Sequence, residues 1–206
     1  MTPSVHRRIH RSPALILKRA LQFAFFLCAV PRLVVFRMTQ RVLGPRALSA
    51  ASESIARVPG FRGVYLRQAF YRHVLDFCDR DAYLGWNSVF SMTEARVGER
   101  AYIGRFCSIG YANIGAQVML ADGVQILSGG NEHDSLSNDV SIHDQGQTYR
   151  CVRIGDGAWI GAGAIIMADV GQHSIIGAGA VVTQAIPDYV VAAGVPARVV
   201  KQRRPV

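Results

Sequence analysis

From Leu84 to Lys201 single aliphatic residues recur about every six positions, and most are followed by glycine. Examples are Val97-Gly98, Ile103-Gly104, Ile109-Gly110 and Ile114-Gly115, then Ile154-Gly155, Ile160-Gly161, Val170-Gly171 and Ile176-Gly177. An amphipathic helix repeats every 3.6 residues and a half-buried strand every two, so neither gives this period. The pattern predicts a solenoid in which each six is a short flat strand and a sharp corner, and three sixes close one triangular coil. Aliphatic side chains point into the prism and stack between coils. Small residues and glycine serve the corners, where a Cβ would clash or φ is positive.

Before the repeat the pattern is helical. Phe61, Tyr65, Leu66, Ala69, Phe70, Val74 and Phe77 recur at helical spacing and read as a packing stripe on a bridging helix. Residues 13–43 form a basic apolar arm whose unbroken apolar stretch, Phe23–Val30, ends at Pro31-Arg32. That stretch falls short of the roughly 20 apolar residues of a spanning helix. Three readings stay open: an amphipathic helix in a membrane interface, a helix packed on the main domain or another subunit, and a signal peptide without a small-x-small cleavage site. The first is preferred. The predicted organisation is an arm over 1–52, a bridging helix over 53–82 and a solenoid over 83–206.

Charge supports the division. Residues 1–80 hold fourteen Lys and Arg against three acids, whereas residues 81–206 hold nine against eleven. A basic arm of this kind meets an anionic surface. It has few polar side chains able to read bases, so no nucleic-acid partner is expected. Four scattered cysteines with no C-x-x-C pair predict reduced thiols and no structural zinc.

The sixes break at residues 128–151, a polar excursion that reads as an exposed functional loop. It contains His133, flanked by Asn131, Glu132 and Asp134, and later His143. Histidine can take or give a proton near neutral pH, which makes these two side chains candidates for acid–base chemistry. Which carboxylate orients His133 is not legible. His173 falls on an outward position of a six and is expected at the surface.

On these repeats, and on Ile176-Gly-Ala-Gly-Ala-Val-Val-Thr followed by Ile186–Lys201, the sequence resembles the hexapeptide-repeat acyltransferases, in style closest to sugar and polysaccharide O-acetyltransferases. The resemblance implies an all-β, left-handed parallel β-helix, here with a helical arm, assembled as a homotrimer. It implies acetyl-CoA as acyl donor, no metal, and His133 as general base. It places Trp159 beside the pantetheine arm, Gly161 and Ala162 at the thioester, Ala178 and Thr183 further along, and Arg198 and Lys201 near the nucleotide phosphates. Two positions depart from the pattern: Ala162 stands where serine occurs, and Gln184 where a basic residue is common. The expected acceptor is a sugar or lipid-linked saccharide, and the expected location is the cytoplasm, on the inner face of its membrane through residues 13–43. Two other classes are carried: a zinc enzyme of carbonic-anhydrase type, for which His133, His143 and His173 are nominated, and a scaffold without catalysis.

Overall fold

The computed structural model describes residues 13–130, 139, 141 and 144–203. Three helices, α1 (Pro13–Leu43), α2 (Arg46–Ala56) and α3 (Gly60–Val74), lead into a parallel β-solenoid. Its strands are mostly two residues long and are distributed over three sheets. The first sheet takes β1 (Phe77–Cys78), β4 (Arg96–Val97), β7 (Ala112–Ile114) and β10 (Val152–Ile154). The second runs from β2 (Tyr83–Leu84) through β5 (Tyr102–Ile103), β8 (Met119–Leu120), β11 (Trp159–Ile160) and β13 (Ile175–Ile176) to β15 (Val190–Ala193) and β16 (Arg198–Gln202). The third stacks β3 (Val89–Phe90), β6 (Ser108–Ile109), β9 (Gln125–Ile126), β12 (Ile165–Ile166) and β14 (Val181–Val182).

The aliphatic positions form the core. Leu84, Ile103, Leu120, Ile160 and Ile176 are register partners in one buried column. Phe90, Ile109, Ile126, Ile166 and Val182 form another. The third column, from Cys78 and Val97 through Ile114 and Ile154, is extended by bridges to Val170 and Ile186. Burying each such aliphatic side chain is worth about 1.5–3 kcal/mol, so the columns are the main source of cohesion. The first coil begins at Phe77, ahead of Leu84 where the repeat first becomes legible.

The corners divide two jobs that the sequence pattern merges. The glycine after the inward aliphatic residue is needed for close approach between coils: a Cβ on Gly161 would lie 2.5 Å from the Ala178 nitrogen, at an ordinary φ. The left-handed conformation falls two residues later. There it is adopted by Gly163 at φ 66°, but also by Phe106 at 57° and His173 at 53°.

The helices close the open end of the solenoid. An exposed sheet edge carries unpaired backbone groups, and side chains of α2 and α3 satisfy those of the first coil. Arg67, fully buried, donates from Nε to the Leu84 carbonyl at 2.9 Å and from Nη1 to the Val58 carbonyl at 2.8 Å. Gln68 donates to the Ala82 carbonyl at 2.7 Å. The Ser52 hydroxyl accepts the Phe90 N–H at 2.8 Å and pairs with the Tyr71 hydroxyl at 2.6 Å. Most of the aromatic stripe serves this plug, with Phe70 and Tyr71 buried, while Phe61 is 84% exposed. At the far end β16 folds back antiparallel on β15.

Helix α1 packs one stripe, including Ala29 and Phe36, against the plug and turns a second apolar face outward through Leu17, Phe23, Leu27, Val34, Val35 and Met38. Its inward cations are tied to the first coil, since Lys18 and Arg19 both pair with Asp81 at 2.8 Å. By length and composition α1 is sufficient to cross a membrane.

Candidate active site

The excursion leaves the solenoid at the corner between the third and first sheets. Its neck is closed where the Arg150 N–H donates to the Ser128 carbonyl at 2.7 Å, and the Ser128 hydroxyl accepts the Tyr111 N–H at 3.0 Å. Arg150 is held in turn by Asp169 at 2.8 Å. His133 and His143 lie outside the described residues, as do Asn131, Glu132 and Asp134.

A second set of residues gathers on the edge between the second and third sheets. Trp159 points outward from β11, 49% exposed, between Met119 and Ile175 on the neighbouring strands. Tyr102, Met119, Asp122, Trp159 and Ala162 line a shallow groove of about 320 Å³ there. Gly161 lies against Ala178 of the next coil, so Trp159, Gly161, Ala162 and Ala178 form one contiguous edge. Thr183 and Gln184 are exposed on the next edge round, after β14, on the same side of the prism as the neck. Arg198 and Lys201 are exposed on β16, at the far end of the second sheet.

The backbone donors at the corners of this edge are capped in one coil and open in another. Where Arg105 turns the second coil, its N–H is capped by the Asp122 carboxylate of the next coil at 2.7 Å. The Arg105 guanidinium also grips that carboxylate at 2.6 Å and holds it below the usual carboxylate range. Asp156 caps the Ala116 N–H and Asp188 the Gln172 N–H in the same manner at other corners. Two coils above Arg105, Ala162 occupies the equivalent place, but the residue stacked over it is Ala178. The Ala162 N–H therefore makes no hydrogen bond among the described residues and is left at the floor of the groove. An exposed donor so placed can take a carbonyl oxygen or an oxyanion.

Sequence reasoning missed Tyr102, Met119 and Asp122. The signal was available: Tyr102 and Met119 hold the Trp159 position, one residue before the inward aliphatic, in the two preceding coils. His173 is exposed, as expected from its outward position, and stacks on Tyr189 at 5.2 Å. Among the described residues no group of three or more His, Cys, Asp or Glu is arranged to hold a metal.

Known proteins share the repeat and the solenoid. A family pattern described as bacterial transferase hexapeptide (six repeats) matches residues 151–184. The galactoside O-acetyltransferase of Escherichia coli is 39% identical over 93 residues, 43% of each chain. The crystal structure of a maltose O-acetyltransferase from Clostridium difficile superposes with a TM-score of 0.69 at 25% identity, covering 78% of this chain and 89% of that one. A galactoside acetyltransferase in complex with coenzyme A gives 0.66 at 24% identity, covering 78% and 83%. The chain spans less than half the length of the curated relatives it matches.

A parallel β-solenoid built of sixes is the architecture the chain has in common with these proteins. The chain carries the bacterial transferase hexapeptide repeat over residues 151–184 and shares its solenoid with hexapeptide-repeat acetyltransferases.

Proposed function

We propose that the chain is an acetyl-CoA-dependent O-acetyltransferase that acts on a hydroxyl of a sugar or saccharide precursor. The observation that carries this reading is the uncapped Ala162 N–H at the end of the Trp159 groove. A flat aromatic wall suits a pantetheine arm, and an unspent amide suits the thioester oxygen. The acceptors named for the related galactoside and maltose enzymes supply the substrate class, and the coenzyme A held by the galactoside acetyltransferase supplies the donor.

In this mechanism His133 takes the proton of the acceptor hydroxyl. The oxygen forms a bond to the acetyl carbonyl carbon, and the Ala162 N–H meets the oxyanion of the tetrahedral intermediate. The C–S bond then breaks, and the coenzyme A sulfur recovers the proton from the imidazolium. No acyl-enzyme is formed. Gly161 and Ala178 continue the donor track, Thr183 joins it from the neck edge of an adjoining chain, and Arg198 and Lys201 take the nucleotide phosphates. Because the excursion and the Trp159 groove belong to different edges of one prism, a homotrimer that sets the neck of one chain against the groove of another completes the site.

The test is release of coenzyme A thiol from acetyl-CoA over a panel of saccharides. His133→Ala should lose about 10²–10⁴ in turnover while still binding acetyl-CoA. Undiminished turnover in that variant removes His133 from the mechanism.

We propose also that α1 docks on an anionic membrane surface from the cytoplasmic side. Its outward face is apolar, and residues 1–52 hold nine Lys and Arg with no acid. Leu17→Glu with Leu27→Glu should abolish cosedimentation with phosphatidylglycerol vesicles; retained binding rejects the docking.

A further inference from the structure

A cleft of about 680 Å³ separates the helices from the outer surface of the first sheet, and it borders the neck of the excursion through Tyr111 and Cys151. Its floor is a ladder of outward side chains, Arg96, Asn113 and Arg153, which are register partners on β4, β7 and β10. Adjacent rungs of a sheet stand roughly 4.8 Å apart, so Arg96 and Arg153 each stand one rung from Asn113. Arg37 of α1 and His73 of α3 form the opposite wall.

The charges in this cleft are unevenly spent. Arg96 is neutralised by Asp76, and Glu94 accepts a hydrogen bond from the Thr93 hydroxyl at 3.0 Å. Arg37 has no carboxylate partner among the described residues; it donates to the His73 carbonyl at 2.7 Å and to Gln40 at 3.3 Å. The Arg153 guanidinium has no ion-pair partner among the described residues either, because Asp169 of the next coil is engaged by Arg150. Two planar forks that lack a carboxylate thus face a cavity also lined by Asn113, Gln40, Thr93 and two carboxylates, which suit hydroxyl groups. Guanidinium forks match carboxylate and phosphate oxygens.

We propose that this cleft is the acceptor site and that the acceptor is an anionic saccharide: its phosphate or carboxylate lies between Arg37 and Arg153, and its hydroxyls lie against Asn113 and the two acids. This rests on the O-acetyltransferase reading for the identity of the reaction, and not for the existence of the site. The Arg198–Lys201 strand, where the donor phosphates are proposed, lies at the other end of the solenoid.

The test is calorimetric titration of the full chain with glucose 1-phosphate, glucuronate, methyl glucoside, inorganic phosphate and acetyl-CoA. Tighter binding of one charged sugar over the other tells phosphate from carboxylate. The charged sugar that fits should bind at least tenfold more tightly than methyl glucoside and than inorganic phosphate, and Arg37→Gln with Arg153→Gln should erase that preference. Acetyl-CoA affinity should stay within twofold in the same variant. Equal binding of methyl glucoside, or a preference that survives the double substitution, overturns the proposal. A tenfold loss of acetyl-CoA affinity does so too, because the cleft then serves the donor. If the unaltered chain fails to bind acetyl-CoA, the transferase reading falls, while the sugar titrations still decide the cleft.

Discussion

The base of the solenoid and the Ala162 corner treat backbone polar groups in opposite ways. At the base the edge groups of the first coil are met by side chains brought in for the purpose: Arg67 and Gln68 for carbonyls, Ser52 for the Phe90 N–H. At the corner of the fourth coil the Ala162 N–H, equivalent to the Arg105 N–H that Asp122 caps two coils lower, has no partner among the described residues. One satisfies what the repeat leaves open and gives stability; the other leaves a backbone donor open at the groove and gives a place for chemistry.

The comparison breaks most sharply if the open corner is closed. Ala178→Asp places a carboxylate over Ala162 as Asp122 stands over Arg105, so it should cap the Ala162 N–H. Turnover should fall about 10²-fold or more, the effect of removing one oxyanion donor, with unfolding temperature unchanged or raised. Full turnover with a raised unfolding temperature would show that the donor is not used.

The reverse operation at the base acts on stability. Arg67→Met removes the partners of the buried Leu84 and Val58 carbonyls, each worth about 1–3 kcal/mol when left unmet. A loss of about 3 kcal/mol in chemical denaturation is expected, and a change below 1 kcal/mol would mean that the plug is dispensable.

The smallest effect belongs to the latch between α1 and the first coil. The side chain of Arg19, then that of Lys18, holds the Asp81 carboxyl well below its usual range. A depressed carboxyl stabilises the fold above its unfolded value near pH 4 and loses that contribution as pH falls through the folded value. The pair is partly exposed, so Asp81→Asn should cost about 0.5–1 kcal/mol at pH 7, and the difference from the unaltered protein should shrink below pH 4. A pH-independent difference would assign the effect to packing.

The solenoid was legible because a six-residue period survives as one aliphatic residue and one glycine per strand. Its first coil was not, because Phe77-Cys78 lacks the glycine and the corner that follows, Asp79-Arg80-Asp81, is charged by its role in holding α1. Glycine positions were read correctly as corners, but the pattern could not separate close approach at Gly161 from the left-handed turn two residues later, which Phe106 and His173 also adopt. Trp159 stood out by residue type. Tyr102 and Met119 share its register but needed the coil length to be aligned, and that length changes along the chain: Leu84 and Ile103 are partners, as are Ile160 and Ile176. The open donor at Ala162 is a property of what residue 178 lacks, visible only once the coils are stacked.

The most direct measurement is thermal unfolding of the unaltered chain and of Trp159→Ala, with and without acetyl-CoA and with acetate as control. At about 100 times Kd a ligand of the native state adds roughly 2.7 kcal/mol, an upward shift of about 5–10 °C for a chain of this size. The account predicts that shift for the unaltered chain, a clearly smaller one for Trp159→Ala at the same acetyl-CoA concentration, and none with acetate. No shift at millimolar acetyl-CoA, or an equal shift in both proteins, would contradict the donor site on the Trp159 edge.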